Sequence, residues 1–257
     1  MYTLKEIIDH VDGGHIRDIK QELVGSLEEL LKTAPADAYE SKGTYYYYLI
    51  RIFLLGSDVV ETAIALSWYD HMNAAFRAAE AEYVGQTRGT ASTARSLSKM
   101  QMKAFYKLME RYYSSLEVLY DKKDFFEAQK RSYIAKMQYR KRSYRNLGKH
   151  LPFLGYWFLE KTSMYGESFV RWGATSIVFM VFFAVVIGLI DQIQTGGMMI
   201  KGMDLYTYMY FSIVTFTTLG FGDVVPVTTL ERIVVNFAAF LGYIMLGLFI
   251  SLIQKKM

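Results

Sequence analysis

Hydrophobic and polar residues follow two different patterns along this chain. Up to about residue 150, apolar residues recur every three or four positions among charged ones. This pattern is typical of helices that pack an apolar face against a core and expose a polar face to water. Beyond residue 171 there are two long uncharged runs, over residues 172–190 and 233–253. We therefore predict an all-α chain with an amphipathic N-terminal part and a strongly apolar C-terminal part.

The two uncharged runs are long enough to cross a lipid bilayer as helices. They contain 19 and 21 residues, and at about 1.5 Å of rise per residue each spans roughly 30 Å, the thickness of the hydrocarbon core. A buried core helix is the ordinary alternative, but such a helix normally keeps a polar face, and neither run has one. We predict two transmembrane helices.

Basic residues predict how these helices are oriented. Nine lysines and arginines lie within residues 130–161, whereas residues 191–232 contain only Lys201 and Arg232. Because Lys and Arg beside membrane helices favour the cytoplasmic side, we expect a multi-pass protein of the cell membrane with cytoplasmic N- and C-termini. The connection 191–232 is then external.

That external connection contains a shorter apolar stretch and an irregular segment. Residues 205–217 are apolar and aromatic, but 13 residues are too few to cross the bilayer, which favours a re-entrant helix. Irregular backbone at membrane depth is tolerated only where it is buried in protein or lines a water-filled path. The predicted order is span, half-helix, irregular segment and span.

Gly220 and Gly222 stand two residues apart in the segment Thr218-Leu219-Gly220-Phe221-Gly222. Glycine adopts positive φ without strain, and positive φ at every second residue turns the alternating carbonyls of an extended chain to one side. Carbonyl oxygens aligned in this way, with the Thr218 hydroxyl beside them, can replace the water around a cation. Leu219 and Phe221 are expected to point away from the ion. A tight turn is the ordinary alternative for two glycines alone.

The run from Thr217 to Asp223 resembles the selectivity filter of potassium channels, with Leu for the usual Val and Phe for the usual Tyr. The likeness extends over about residues 172–253 of this chain. Four further residues stand where two-transmembrane channels of that family carry the same residue types: Ser212, Thr215, Pro226 and Gly242. Val214 departs from the pattern, because some members have an acidic partner for Asp223 there.

This resemblance implies a homotetramer, because one chain supplies one filter strand and the family's pore needs four. It implies a filter over residues 218–223, with Thr217 and Asp223 as supporting residues. K⁺ is the expected permeant ion, and no organic cofactor is expected. The expected ion-binding residues are Thr218, Leu219, Gly220 and Phe221, followed by Gly222.

On the second apolar run, Gly242 stands where the resemblance places the gating glycine of the inner helix. Our hypothesis is that Gly242 permits bending and that Tyr243, Leu246 and Ile250 line the cavity. Close helix packing is the other common role of glycine in membranes, and it stays open here.

Residues 1–150 are predicted to form a cytoplasmic helical domain that controls opening. Residues 105–142 resemble a tetratricopeptide-type hairpin with its turn at Asp124, and residues 105–170 are similar to the region before the pore in bacterial pentapeptide-repeat ion-channel proteins. Residues 85–96 have almost no apolar side chains, so we expect a loop there. Packing among helices is the alternative to ligand binding, and no ligand or protein partner is identified.

Residues 151–170 are predicted to be an interfacial amphipathic segment, which leaves residues 171–257 as the pore domain. The segment is aromatic and flanked by basic residues, and a short helix could begin at Pro152. Membrane lipids with anionic headgroups are candidate partners of these charges. Setting the topology is their alternative role.

These features predict a homotetrameric potassium-selective channel and no enzyme, because nucleotide-binding, nucleophile-elbow and zinc-protease motifs are absent from the sequence. The net charge of +4 gives no reason to expect a nucleic-acid partner, and the absence of cysteine excludes disulfides. Two rival functions stay open: a weakly selective cation channel, and a membrane-anchored helical scaffold with a silent pore.

Overall fold

The computed structural model describes residues 2–14, 16–56, 59–89, 92–193 and 204–254. These residues form helices, turns and short connections and contain no strand, so the predicted all-α class is confirmed. In chain order the helices of the described residues are α1 (Leu4–Asp12), α2 (Lys20–Thr33), α3 (Tyr39–Leu55), α4 (Val59–Gly89), α5 (Ser92–Asp121), α6 (Phe126–Asn146), α7 (His150–Ser163), α8 (Phe169–Ile193), α9 (Leu205–Phe216) and α10 (Thr229–Gln254).

The chain divides into two compact units, Met1–Phe153 and Leu154–Met257. The first unit is built from two helical hairpins, α3 against α4 and α5 against α6, and α4 also packs on α5. Gly43 allows a close approach within the first hairpin, because a Cβ at this position would lie 2.4 Å from the ring of Phe76. The centre of this unit is therefore a helical core shared by both hairpins.

Tyrosine rings fill much of the core of the first unit. Tyr113 donates a hydrogen bond to Asn73, and Tyr106 donates to Glu80 over 3.0 Å. Burial raises the pKa of Tyr112 and Tyr139 to about 12, because an ionised phenol would lose its water there. Side-chain hydrogen bonds satisfy several of these hydroxyls, but the buried Tyr120 hydroxyl has no hydrogen-bond partner among the described residues.

One prediction for the first unit needs correction, and one helix was not predicted. The loop expected over residues 85–96 is wrong, because α4 continues to Gly89 and α5 begins at Ser92; residues 90 and 91 lie outside the described residues. Ser, Thr and Gly have low helix propensity, but propensity is only a weak guide, and the described residues of this stretch continue two long helices. The first helix, α1, was not predicted from the sequence. Thr3 and Glu6 form a reciprocal capping box at its start.

In the second unit, α8, α9 and α10 pack together. The cluster between them is apolar and includes Phe183, Ile187, Phe211, Phe216 and Met245. α8 and α10 are long and apolar enough to cross a membrane, and they contain the predicted runs 172–190 and 233–253. Only 28% and 17% of the residues in their most apolar windows are buried, so neither is an ordinary core helix.

Candidate functional site

α9 presents the glycine-punctuated segment at its C-terminal end. At the other end, the carboxylate of Asp204 accepts hydrogen bonds from the Thr207 hydroxyl over 2.8 Å and from the Thr207 N–H over 2.9 Å. These bonds hold the pKa of Asp204 below its usual range. α9 ends at Phe216, so the negative end of its dipole faces the segment that follows.

The backbone after α9 alternates between two conformations. Thr218, Gly220 and Gly222 have positive φ angles of 60°, 55° and 77°, and Leu219 and Phe221 between them do not. An alternation of this kind can turn successive carbonyl oxygens to one side, the arrangement that the predicted cation site requires. The predicted positive φ at the two glycines is confirmed. Thr218, two residues before Gly220, adds a third positive φ.

Thr218 is β-branched, and its left-handed conformation costs on the order of 1–2 kcal/mol. Hydrogen bonds to the last turn of α9 stabilise it. The N–H of Thr218 donates to the carbonyl of Thr215 over 3.1 Å, and those of Leu219 and Gly220 donate to the carbonyl of Val214 over 3.0 and 3.3 Å. The helix end therefore fixes the first residues of the segment.

Tyr210, on α9, contacts the far end of the segment through its ring and its hydroxyl. The ring is parallel to that of Phe221, with centroids 6.4 Å and planes 5° apart, and the hydroxyl donates to Asp223 over 2.6 Å. Val214 takes the place of an acidic partner for Asp223, but Asp223 still has a partner in Tyr210. Sequence reasoning missed this residue; its only signal is an aromatic hydroxyl two helical turns before the segment.

The predicted ion-binding residues are exposed within a single chain, as are the supporting residues Thr217 and Asp223. Leu219 and Phe221 have 63% and 66% of their surface exposed. Both side chains were expected to point away from the ion, and within one chain both are largely exposed. The backbone oxygens of residues 218–221 are candidate K⁺ ligands that one chain does not enclose.

Gly242, on α10, lies against the end of α9. It is buried, and a Cβ at this position would lie 2.0 Å from the carbonyl oxygen of Phe216. The structure therefore gives Gly242 a packing contact one residue before Thr217, where the candidate site begins. Bending at Gly242 stays a prediction.

The other three residues predicted on α10 are exposed within one chain. Tyr243, Leu246 and Ile250 are 69%, 44% and 49% exposed, and helical periodicity places them on one side of α10. This position is open to a cavity, a neighbouring chain or lipid. Their predicted role as cavity lining stays a prediction.

Two further contacts tie the three helices together. The Ser212 hydroxyl, on α9, donates to the carbonyl of Met180, on α8, over 2.6 Å. Nearer the start of α8, the indole N–H of Trp172 donates to the carbonyl of Met245 over 2.9 Å, and its ring stacks on Phe249. These bonds hold α8 against α9 and α10 at two separate levels.

A buried glutamate fixes the start of α10. Glu231 is fully buried, and its Oε2 accepts hydrogen bonds from the N–H groups of Val227 and Thr228 over 2.9 and 3.0 Å. The Thr228 hydroxyl accepts in return from the N–H of Glu231 over 3.3 Å. This reciprocal pair connects the chain after the candidate site to α10, and the sequence signal for it is Thr-x-x-Glu before an apolar run.

Part of the chain is similar to a known protein family. Residues 174–257, about a third of the chain, match the family model described as ion channel. No curated protein and no solved structure matches the chain. Together with the apolar helices α8 and α10, the match indicates a membrane protein with an ion-channel segment, a class that is not enzymatic.

Proposed function

We propose that this protein is a potassium-selective channel that conducts K⁺ passively through a filter formed by residues 218–223. The carbonyls of Thr218, Leu219, Gly220 and Phe221 replace the water shell of the ion, and the Thr218 hydroxyl adds a further ligand. Gly222 continues the alternation of backbone φ at the end of the filter. Selection by such carbonyl rings depends on oxygen ligands that match those K⁺ loses on leaving water.

The alternating positive φ at Thr218, Gly220 and Gly222 is the observation that carries this proposal. An extended strand would direct half of its carbonyls away from the ion, and a simple turn would not repeat at every second residue. The position of the segment directly after α9, inside the region that matches the ion-channel model, supports the same function.

The complete pore requires several chains, and we propose a homotetramer. A single segment is exposed and supplies ligands from one side only. Four copies around one axis would surround the ion, as the resemblance to potassium channels implies. Both termini lie in the cytoplasm in this proposal, because the basic residues concentrate before α8.

We further propose that residues 1–150 regulate opening. The connections from this part of the chain to the pore are short: α6 ends at Asn146, α7 begins at His150, and α8 begins at Phe169. A change in the first unit therefore has a direct covalent route to the first span.

Flux from purified protein in liposomes tests the function. We expect a reversal potential that follows the K⁺ gradient and a current blocked by Ba²⁺. Gly220→Ala should abolish selective flux, because Ala resists the φ of 55° at this position. Gly173→Ala should leave flux intact, because a Cβ there meets no atom within 4 Å.

Three outcomes would contradict the proposal, each in a different way. A reversal potential that follows Na⁺ equally well would identify a weakly selective cation channel, and no flux at all would identify a scaffold with a silent pore. A monomeric mass in a native-like bilayer would refute the shared pore.

A further inference from the structure

α7 exposes two large apolar side chains on one side. Leu154, Trp157 and Lys161 follow one another at spacings of three and four, which places them on one face of the helix. Leu154 is 54% exposed and Trp157 is 46% exposed. We call these three residues the α7 stripe. Two large apolar side chains at adjacent exposed positions are unusual for a helix surrounded by water.

The other side of α7 is packed. Phe158 contacts the apolar cluster between α8, α9 and α10, and Thr162 and Ser163 are buried. The Thr175 hydroxyl, on α8, donates to the carbonyl of Thr162 over 3.4 Å. α7 is therefore held against the second unit with the stripe facing outward.

A rigid turn joins α7 to α8. Met164, Tyr165 and Gly166 have positive φ angles of 51°, 59° and 82° in succession. The carbonyl of Ser163 accepts hydrogen bonds from the N–H groups of Gly166, Glu167 and Ser168, each within 3.1 Å. Two successive left-handed residues other than glycine persist only where surrounding contacts fix them. The turn therefore keeps α7 beside the start of α8.

The composition of the stripe matches the boundary between lipid and water. Trp favours headgroup depth, because its ring is apolar and its N–H is polar, and Lys can extend its charge outward from an apolar stem. Arg171, near the start of α8, is also exposed, whereas Glu160 and Glu167 between Trp157 and α8 are only partly exposed and each has an interaction. The exposed charges of residues 154–171 are thus basic, which favours anionic headgroups.

We propose that the α7 stripe lies on an anionic lipid surface, on the side of the bilayer where α8 begins. Leu154 and Trp157 enter the boundary of the acyl chains, and Lys161 contacts lipid phosphates. Because the turn fixes α7 to α8, this docking also limits the tilt of α8. The proposal requires α8 to span the membrane but does not depend on which ion is conducted.

Site-directed spin labelling tests this docking, because the chain has no cysteine to remove. A nitroxide at Leu154→Cys, in vesicles containing phosphatidylglycerol, should be more accessible to oxygen than to a water-soluble nickel chelate. The control is Met100→Cys, at a site on α5 that is 72% exposed, which should show the opposite preference. The readout requires no ion flux, so it is independent of the channel assay.

Two results at Leu154 would overturn the proposal. Preference for the nickel chelate would place the stripe in water, and poor access for both reagents would mean that protein, such as a second copy of the chain, covers it.

The charge is tested by comparing phosphatidylglycerol with neutral phosphatidylcholine vesicles. We expect the oxygen preference at Leu154→Cys to rise roughly twofold with the anionic lipid. Adding Lys161→Gln should remove that rise, whereas adding Lys103→Gln, at an exposed site on α5, should leave it unchanged. An equal signal in both lipids would refute the anionic preference.

Discussion

At the scale of single residues, the candidate filter depends on a side chain that is not expected to touch an ion. Tyr210 contacts Phe221 through its ring and Asp223 through its hydroxyl. A hydrogen bond to a carboxylate is stronger than one between neutral groups. Tyr210 therefore restrains the end of a segment that one chain leaves exposed.

We predict that Tyr210→Phe makes K⁺ current decay on the order of threefold faster during sustained opening, because the ring contact remains and the bond to Asp223 is lost. Recordings from reconstituted protein measure the decay. The control is Tyr206→Phe on the same helix, at a position that is 83% exposed. Equal decay in both variants would show that the hydroxyl of Tyr210 has no special role.

The residues of this segment differ in how far sequence alone could predict them. Gly220 and Gly222 indicate positive φ, because glycine has no Cβ that disfavours this conformation. Thr218 gives no such signal, since a β-branched residue disfavours the conformation it adopts. The role of Tyr210 could not be predicted from the sequence for another reason. Its partners lie 11 and 13 residues later, so the contact depends on the turn between them.

At the scale of secondary-structure elements, the contact between α9 and α10 is unusually close. Gly242 brings the backbone of α10 against the carbonyl of Phe216 at the end of α9. Small residues allow such approaches between membrane helices. Backbone contact thus positions the two helices next to the candidate filter. Any movement of α10 at this level would also move the end of α9.

We predict that Gly242→Ala destabilises the protein by about 1–3 kcal/mol, the usual effect of overpacking, because its Cβ would meet backbone at 2.0 Å. Gly247→Ala, on the same helix with no atom within 4 Å, should have a smaller effect. Thermal unfolding in detergent compares them. Should Gly242→Ala keep full stability and alter only opening, bending would be the role of this glycine.

Hydropathy predicted the helices of the second unit well, because uncharged runs of this length are compatible with few structures other than membrane-spanning helices. α9 was expected over residues 205–217 and ends at Phe216. Their packing was not predictable in the same way, since Gly242 is compatible with both a hinge and a contact. The loop expected over residues 85–96 was wrong, because low local propensity is a weak guide where a stretch continues long helices such as α4 and α5.

At the scale of the whole molecule, the two units differ in whether their surfaces suit water or lipid. The first unit pairs its charges, as in Arg142 with Glu80 and Lys136 with Glu117, and it buries neutral tyrosines. The second exposes long apolar faces on α8 and α10. Stability in alkaline solution should therefore differ between them.

We predict that the first unit loses helicity between about pH 10 and pH 12. Tyr112 and Tyr139 have a pKa of about 12 when folded, against about 10 when unfolded. Their contribution, on the order of 2 kcal/mol each, is complete below pH 10 and is lost as pH rises through the folded pKa. Circular dichroism and tyrosinate absorbance follow the transition.

The matched variants are Tyr139→Phe and Tyr39→Phe. Tyr139→Phe cannot ionise, so its helicity should persist to higher pH, whereas Tyr39→Phe, on the exposed part of α3, should match the parent. Tyrosinate that appears in full near pH 10 without loss of helicity would rule out this account.

The turn between α7 and α8 also determines where the chain can change length. Three N–H groups converge on the Ser163 carbonyl, so one inserted residue between Met164 and Ser168 would break this set of hydrogen bonds. The turn would then no longer fix the position of Trp157 and the rest of α7 relative to α8. Deletions there are equally restricted, so this short stretch keeps a fixed number of residues as long as α7 and α8 keep their positions.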